Sequence, residues 1–198
     1  GTYLIRHSGP NINIGRDCRL SGDRLNLALR TGLIAAGCHV TDIGVVPTPV
    51  TYFSAHQMKA DGAVMITGSH NPSDYNGFKT VCGAGTLHGE AIQEVYRLIE
   101  TRDYTSGEGS YRTLDLVPAY VDEVVKQFQF PRRIKVVVDS GNGTAGPVIE
   151  KILARLNCEF VSMFGEMDGS FPNHHPDPTV PANLQMLAGM LKQRGYKV

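Results

Sequence analysis

Seryl phosphoryl transfer requires an exposed hydroxyl, donors for the phosphate oxygens and a proton carrier for the substrate hydroxyl. The stretch Thr67-Gly68-Ser69-His70-Asn71-Pro72, followed by Asp74-Tyr75-Asn76-Gly77-Phe78-Lys79, holds all three residue types within a short span. Gly68 gives the chain freedom to turn successive backbone N–H groups toward an anion. His70 and Lys79 add proton-carrying or cationic side chains, and a turn at Asn76-Gly77 can fold Lys79 back toward the serine. A phosphorylated serine carries about −1.5 to −2 charges, for which Mg²⁺ is the natural partner. Acyl transfer fits poorly: a nucleophile elbow needs glycine two positions either side of its serine, and here Thr67 and Asn71 stand there.

The element that must present this loop is Ala63-Val64-Met65-Ile66, an uninterrupted apolar run of the kind found in buried parallel strands. It places the serine at a strand's carboxyl end, where open α/β sheets bind their ligands. Asn11 to Gly15 reads as another strand. Ser21 offers an N-cap to a helix with Leu25, Leu29, Leu33 and Ala36 along one face, ended by Gly37. His39 to Ile43 reads as a strand. Thr48-Pro49 then caps a helix bearing Val50 and Phe53, with Gly62 as its stop. Phe78 to Val81 resumes as a strand, and Ile92, Val95, Tyr96 and Ile99 make an amphipathic helical stripe.

From Arg102 to Arg112 the chain turns polar and glycine-containing, as a linker does. The expected fold class is therefore α/β, with two consecutive α/β domains of mixed, largely parallel sheets over residues 1–108 and 109–198, joined near 103–116. In the second, Pro118 opens a helix with Val121, Val124, Val125 and Phe128 inward, while Ile134–Val138 and Glu159–Met163 are strands. A weak internal echo relates Ile14-Gly15-Arg16-Asp17 and the strand after Cys38 to Val137-Val138-Asp139 and the strand after Cys158. Two related α/β units would produce it.

Over 198 residues, 19 Lys and Arg balance 19 Asp and Glu, which gives none of the broad positive field that nucleic acid or an anionic membrane would require. The four cysteines lack C-x-x-C spacing, and no secretory or membrane-spanning segment is evident; a cytoplasmic protein with free thiols is expected. Both ends read as cut: Gly1-Thr2-Tyr3 opens without Met, and Tyr196-Lys197-Val198 reads as the lead-in to a further strand.

The run Ala63 to Pro72, continued in register by Asp74 to Lys79, resembles the active-site signature of the α-D-phosphohexomutase family. The resemblance extends to Gly15-Arg16-Asp17 with Arg19-Leu20-Ser21-Gly22, Val46-Pro47-Thr48-Pro49, Gly141-Asn142-Gly143, and Phe171-Pro172-Asn173-His174-His175-Pro176-Asp177-Pro178. It is nearest the bacterial phosphomannomutase/phosphoglucomutase branch; the phosphoglucosamine branch usually has Ser-Ala before the serine and Ile before the lysine. The resemblance implies reversible interconversion of hexose 1- and 6-phosphates through a phosphoserine at Ser69 and a bisphosphate intermediate, with Mg²⁺ as cofactor and sugar phosphates as partners. It implies that His70 and Lys79 assist transfer, that Arg16 helps hold the loop or its phosphate, and that Asn71 binds the substrate or its phosphate. The family's Tyr-Asp-Ile-Arg-Gly segment, its Asp-Gly-Asp-Gly-Asp-Arg metal loop and its later domains are absent from these residues. The Ser69 phosphate is thus the one metal ligand expected here, and the chain alone is expected to be inactive. A homologue that binds sugar phosphate without turnover is the non-enzymatic alternative.

A competing motif is Gly141-Asn142-Gly143-Thr144-Ala145-Gly146, a full G-x-G-x-x-G between strand and helix, with Glu166 near the spacing of a ribose-binding acid. It would make the protein an NAD(P)-binding oxidoreductase. Against it, Asp139-Ser140 intervenes between strand and first glycine, and Glu166 falls past the following strand. His174-His175 with Asp177 lacks the i, i+4 geometry that gathers metal ligands; a loop shaped by Pro172, Pro176 and Pro178 is the simpler reading.

Overall fold

The computed structural model describes residues 1–196. The strand anticipated from Tyr196-Lys197-Val198 lies largely outside them. The chain forms two compact units: one of Gly1–Asp17, Ser21–Thr67 and Asn76–Leu116, the other of Cys18–Leu20, Gly68–Tyr75 and the chain from Val117 on.

The first unit is built on a 6-stranded sheet. Its strands are β1 (Asn11–Arg16), β2 (His39–Val45), β3 (Gly62–Ile66), β4 (Phe78–Cys82), β5 (Gly85–Thr86) and β6 (Ser110–Thr113), in the order β5-β4-β3-β1-β2-β6. The pairs β1–β2, β1–β3 and β2–β6 are parallel; β3–β4 and β4–β5 are antiparallel. Four helices accompany the sheet: α1 (Thr2–His7), α2 (Gly22–Ala35), α3 (Thr48–Gln57) and α4 (Glu90–Glu100). Because successive strand residues point to opposite faces, β1 serves two interiors. Ile12 and Ile14 join Leu4, Leu33, Cys38, Val40 and Val64 in one apolar core. Asn13 faces α3, where its Nδ2 donates to Ser54 Oγ at 3.2 Å. Gly15 is needed for α3 to approach, since a Cβ there would lie 2.6 Å from Thr51 Oγ1.

Several expectations shift at this level. Residues 110–113, expected in the second domain, pair as β6 with β2, and the passage between units falls at Leu116–Val117. All four β6 residues are exposed, so the strand has no apolar alternation to announce it; it is held by backbone pairing with β2 and by side-chain bonds such as Arg112 Nε to Thr41 Oγ1 at 3.0 Å. Ser21 stands at the N-cap of α2 but in a helical conformation (φ −78°, ψ −9°), and its Oγ accepts from Asn76 Nδ2 at 2.9 Å instead of capping. α3 buries Val50 together with Thr51 and Ser54, so its inner face is partly polar. On α4 the stripe faces outward: Ile92, Tyr96 and Ile99 are 50%, 54% and 57% exposed.

In the second unit, β7 (Lys135–Asp139) and β8 (Glu159–Met163) pair in parallel, with helices α5 (Val117–Gln127), α6 (Gly146–Arg155) and α7 (Gln185–Gln193). Val121, Val148 and Ile152 form the core between α5 and α6, with Val124 and Val125 packed against it. Phe128 lies past the end of α5 and is half exposed. Each unit therefore contains a parallel β-α-β step, β1-α2-β2 and β7-α6-β8, which accounts for the echo between the halves. No helix among the described residues is long and apolar enough to cross a membrane.

Candidate active site

β3 is buried along its whole length, and the serine loop leaves from its carboxyl end. In the first unit the loop's base is closed by the Thr67 N–H donating to the Gly77 carbonyl at 3.0 Å, so that β4 returns antiparallel to β3. Gly77 follows Asn76, whose side-chain oxygen accepts the Gly77 N–H at 2.9 Å. Lys79 then stands in register with Met65, and Arg16 on β1 in register with Ile66. Both cations are thereby placed at the end of the sheet where the loop begins. Arg16 is committed to carboxylates: its Nε donates to Asp23 at 2.9 Å, and its Nη1 lies 3.5 Å from Asp42. Asp42, 5% exposed, also accepts from the Gly44 N–H, Asn26 Nδ2 and the Tyr111 hydroxyl, and so fixes the guanidinium.

Ser69, His70 and Asn71 fall in the second unit and are exposed. Ser69 has φ +53°, the left-handed conformation that costs a residue with a Cβ about 1–2 kcal/mol. Within the loop the Asn71 N–H donates to the Gly68 carbonyl at 3.0 Å and the Tyr75 N–H to that of Pro72 at 3.1 Å. His70 Nδ1 lies 2.7 Å from the Pro176 carbonyl oxygen. A carbonyl only accepts, so Nδ1 carries the hydrogen, and Nε2 of the neutral ring is left as the acceptor.

Residues Cys18–Leu20 belong to the same unit. Arg19, 3% exposed, turns its guanidinium onto the loop's carbonyls: Nη2 donates to Ser69 at 3.0 Å and Asn71 at 2.7 Å, Nη1 to Tyr75 at 3.1 Å and to Pro72. A Cβ on Gly68 would lie 2.5 Å from Arg19 Cζ and 2.7 Å from the Tyr75 carbonyl oxygen. The family resemblance points to Arg16 for holding the loop or its phosphate and to Asn71 for the phosphate; Arg19 is not among the residues it marks for either role. Nothing in its type or spacing separates it from an exposed loop arginine; its burial does.

The Gly141 loop is occupied with its own fold. The Gly141 N–H donates to Asp139, that of Asn142 to the Phe164 carbonyl and that of Gly143 to Ser140, at 2.9, 2.9 and 2.8 Å. Amides that would cradle a pyrophosphate are thus already engaged. Asn142, 6% exposed, further donates from Nδ2 to the Glu166 carbonyl and accepts from Asn173 Nδ2. Gly146 packs so closely that a Cβ there would lie 2.0 Å from the Gly165 carbonyl oxygen. His174 Nε2 meets buried Asp139 at 2.9 Å and its Nδ1 lies 3.0 Å from the His175 carbonyl; these partners hold the imidazole pKa above its usual value against the opposing effect of burial.

Comparison with known proteins decides what this arrangement belongs to. Residues 1–106 match the model of phosphoglucomutase/phosphomannomutase alpha/beta/alpha domain I, and residues 118–198 that of domain II. The chain belongs to the phosphoglucomutase/phosphomannomutase family. It is 44% identical over 195 residues to the phosphomannomutase/phosphoglucomutase of Pseudomonas syringae pv. tomato, an alignment covering 98% of this chain and 42% of that protein. It is also 44% identical over 183 residues to the phosphoglucomutase of Neisseria gonorrhoeae, covering 91% of this chain and 40% of the relative. The crystal structure of a family protein from Burkholderia thailandensis superposes with a TM-score of 0.92 at 42% identity, over 97% of this chain and 44% of that one. The chain thus spans about two fifths of the length of the curated relatives it matches. Family membership accounts for the two consecutive α/β domains.

The family is one of generally metal-dependent phosphohexomutases, and Mg²⁺ takes near-octahedral oxygen ligands. Among the described residues no three His, Cys, Asp or Glu side chains converge to hold a metal ion. These residues alone do not make a Mg²⁺ cage.

Proposed function

We propose that the protein containing this chain is a hexose-phosphate mutase that interconverts mannose or glucose 1- and 6-phosphates through a phosphoserine at Ser69. The observation that carries the reading is an exposed serine on a loop at the carboxyl end of β3, beside a histidine whose Nε2 is left as proton acceptor. In the first half-reaction a sugar hydroxyl oxygen bonds to the serine-borne phosphorus while the Oγ–P bond breaks. The hydroxyl proton passes to His70 Nε2 and on to the departing serine oxygen. In the second half the bisphosphate presents its other phosphoryl group: Oγ–P reforms, that sugar–O–P bond breaks, and the proton returns to the sugar oxygen. Lys79 offsets the charge that builds on the transferring group. Arg16 and Asn71 contribute to holding the phosphate.

Mg²⁺ belongs to this reading as the cofactor of the complete protein, with the Ser69 phosphate as one of its oxygen ligands and the others supplied outside this chain. Its part is to neutralise phosphoryl charge.

Intact-mass and peptide mass spectrometry of the full-length protein should find one phosphoryl group, on Ser69, and Ser69→Ala should abolish turnover of mannose 1-phosphate and glucose 1-phosphate. An active Ser69→Ala protein sinks the proposal. A protein that binds sugar phosphates but neither carries phosphate on Ser69 nor turns them over is the non-catalytic homologue instead.

A further inference from the structure

Resting on the phosphoserine reading, the geometry points to Arg19 as a positioning residue that presents Ser69 for phosphoryl transfer. A guanidinium has two hydrogens on each terminal nitrogen. Here all four are directed at main-chain carbonyls of one short loop, those of Ser69, Asn71, Pro72 and Tyr75. The acceptors span the loop from the serine to its far end, so one rigid, planar group fixes the loop's backbone at both sides of His70 and Pro72. A lysine in the same place could satisfy at most three acceptors and would lack the planar fork that sets their spacing.

Such a clamp has work to do, because Ser69 sits at φ +53°. An unrestrained loop would relax the serine toward an ordinary conformation, moving Oγ away from the direction in which it is now held. Arg19 is itself fixed. It is 3% exposed, its Cζ lies 5.2 Å from the centroid of the Phe171 ring, and Gly169 presses so near that a Cβ there would lie 2.9 Å from Arg19 Cα. The side chain thus transmits the rigidity of the Cys18–Leu20 and Asp168–Phe171 backbone to the loop that carries the phosphoryl group. It does so through the loop's carbonyls. In-line transfer depends steeply on geometry, and a displacement of about 1 Å can cost on the order of 100-fold in rate.

The test uses the full-length protein, with Arg19→Lys and Arg19→Ala. Removing the clamp is expected to lower kcat about 10- to 100-fold, with KM for the sugar phosphate changed less than about threefold, because sugar binding is left intact. Arg19→Lys should lie between wild type and Arg19→Ala, and added guanidinium or methylguanidinium should restore kcat of Arg19→Ala saturably. A residue that merely supports the fold would give neither the kcat-only loss nor the rescue. Variants with unaltered kcat overturn the inference. So does failure of both variants to fold, which assigns Arg19 to stability. If wild-type protein carries no phosphate on Ser69 and turns over no hexose phosphate, it is the mutase reading that falls; if it does both and the variants match it, only the role of Arg19 falls.

Discussion

The Asp139–His174 pair shows how residue-level chemistry shapes the second unit. Asp139 is nearly buried, accepts the Gly141 N–H and meets His174 Nε2 at 2.9 Å. The His175 carbonyl and Asp139 both favour the imidazolium, so the folded-state pKa of His174 lies above the usual value of about 6.5. The sign follows from linkage: the folded protein holds this proton more tightly than the unfolded one. The resulting stabilisation is complete below about pH 6.5 and is lost as pH rises through the raised folded pKa. NMR titration should place His174 above the usual histidine value, and Asp139→Asn should bring it down. The same substitution should cost about 2 kcal/mol of stability at pH 6 and less at pH 9, measured by urea unfolding. His174 and Asp139 were legible as residues of a loop and a strand end. Their partnership was not, because they stand far apart in sequence and only folding brings them together.

At the scale of elements, the glycine-rich turn before α6 illustrates a motif whose local pattern has two physical uses. In a dinucleotide fold the amides face a pyrophosphate; here they bond to Asp139, Ser140 and Phe164. Calorimetric titration with NAD or NADP is expected to show no binding heat. Gly146 is required for close approach of α6 to the turn after β8, so Gly146→Ala should destabilise the protein by about 1–3 kcal/mol, read as a lowered melting temperature. Strand β3 was legible as a buried apolar run and the β8 boundaries as a short β-rich one. Strand β6 was not, since what holds it, backbone pairing and polar side-chain bonds to β2, comes from residues far away in sequence. The α4 stripe was legible as a helix, but an apolar periodicity says only that one face is apolar. It does not say what covers that face, and Ile92, Tyr96 and Ile99 are each at least half exposed.

For the whole molecule, the chain matches domains I and II of its family and spans about two fifths of its relatives' length. On the proposed mechanism the serine carrier is present without a metal-holding cluster among the described residues. The isolated chain is therefore expected to give no measurable turnover of mannose 1-phosphate or glucose 1-phosphate in a coupled assay with Mg²⁺, while the full-length protein is active. Turnover by the isolated chain would contradict that expectation. The α/β class, the division into two domains and the serine loop at a strand's end were determined by sequence alone. Each rests on contiguous residues, an apolar run, a polar stretch and a ten-residue signature, whose physics is local. Tertiary structure decided which cation holds the loop. Arg16 and Arg19 lie three positions apart and are alike in chemistry. One is drawn to Asp23 and Asp42 and the other to the carbonyls around Ser69, a difference set by long-range packing and by the burial of a charge that must find partners.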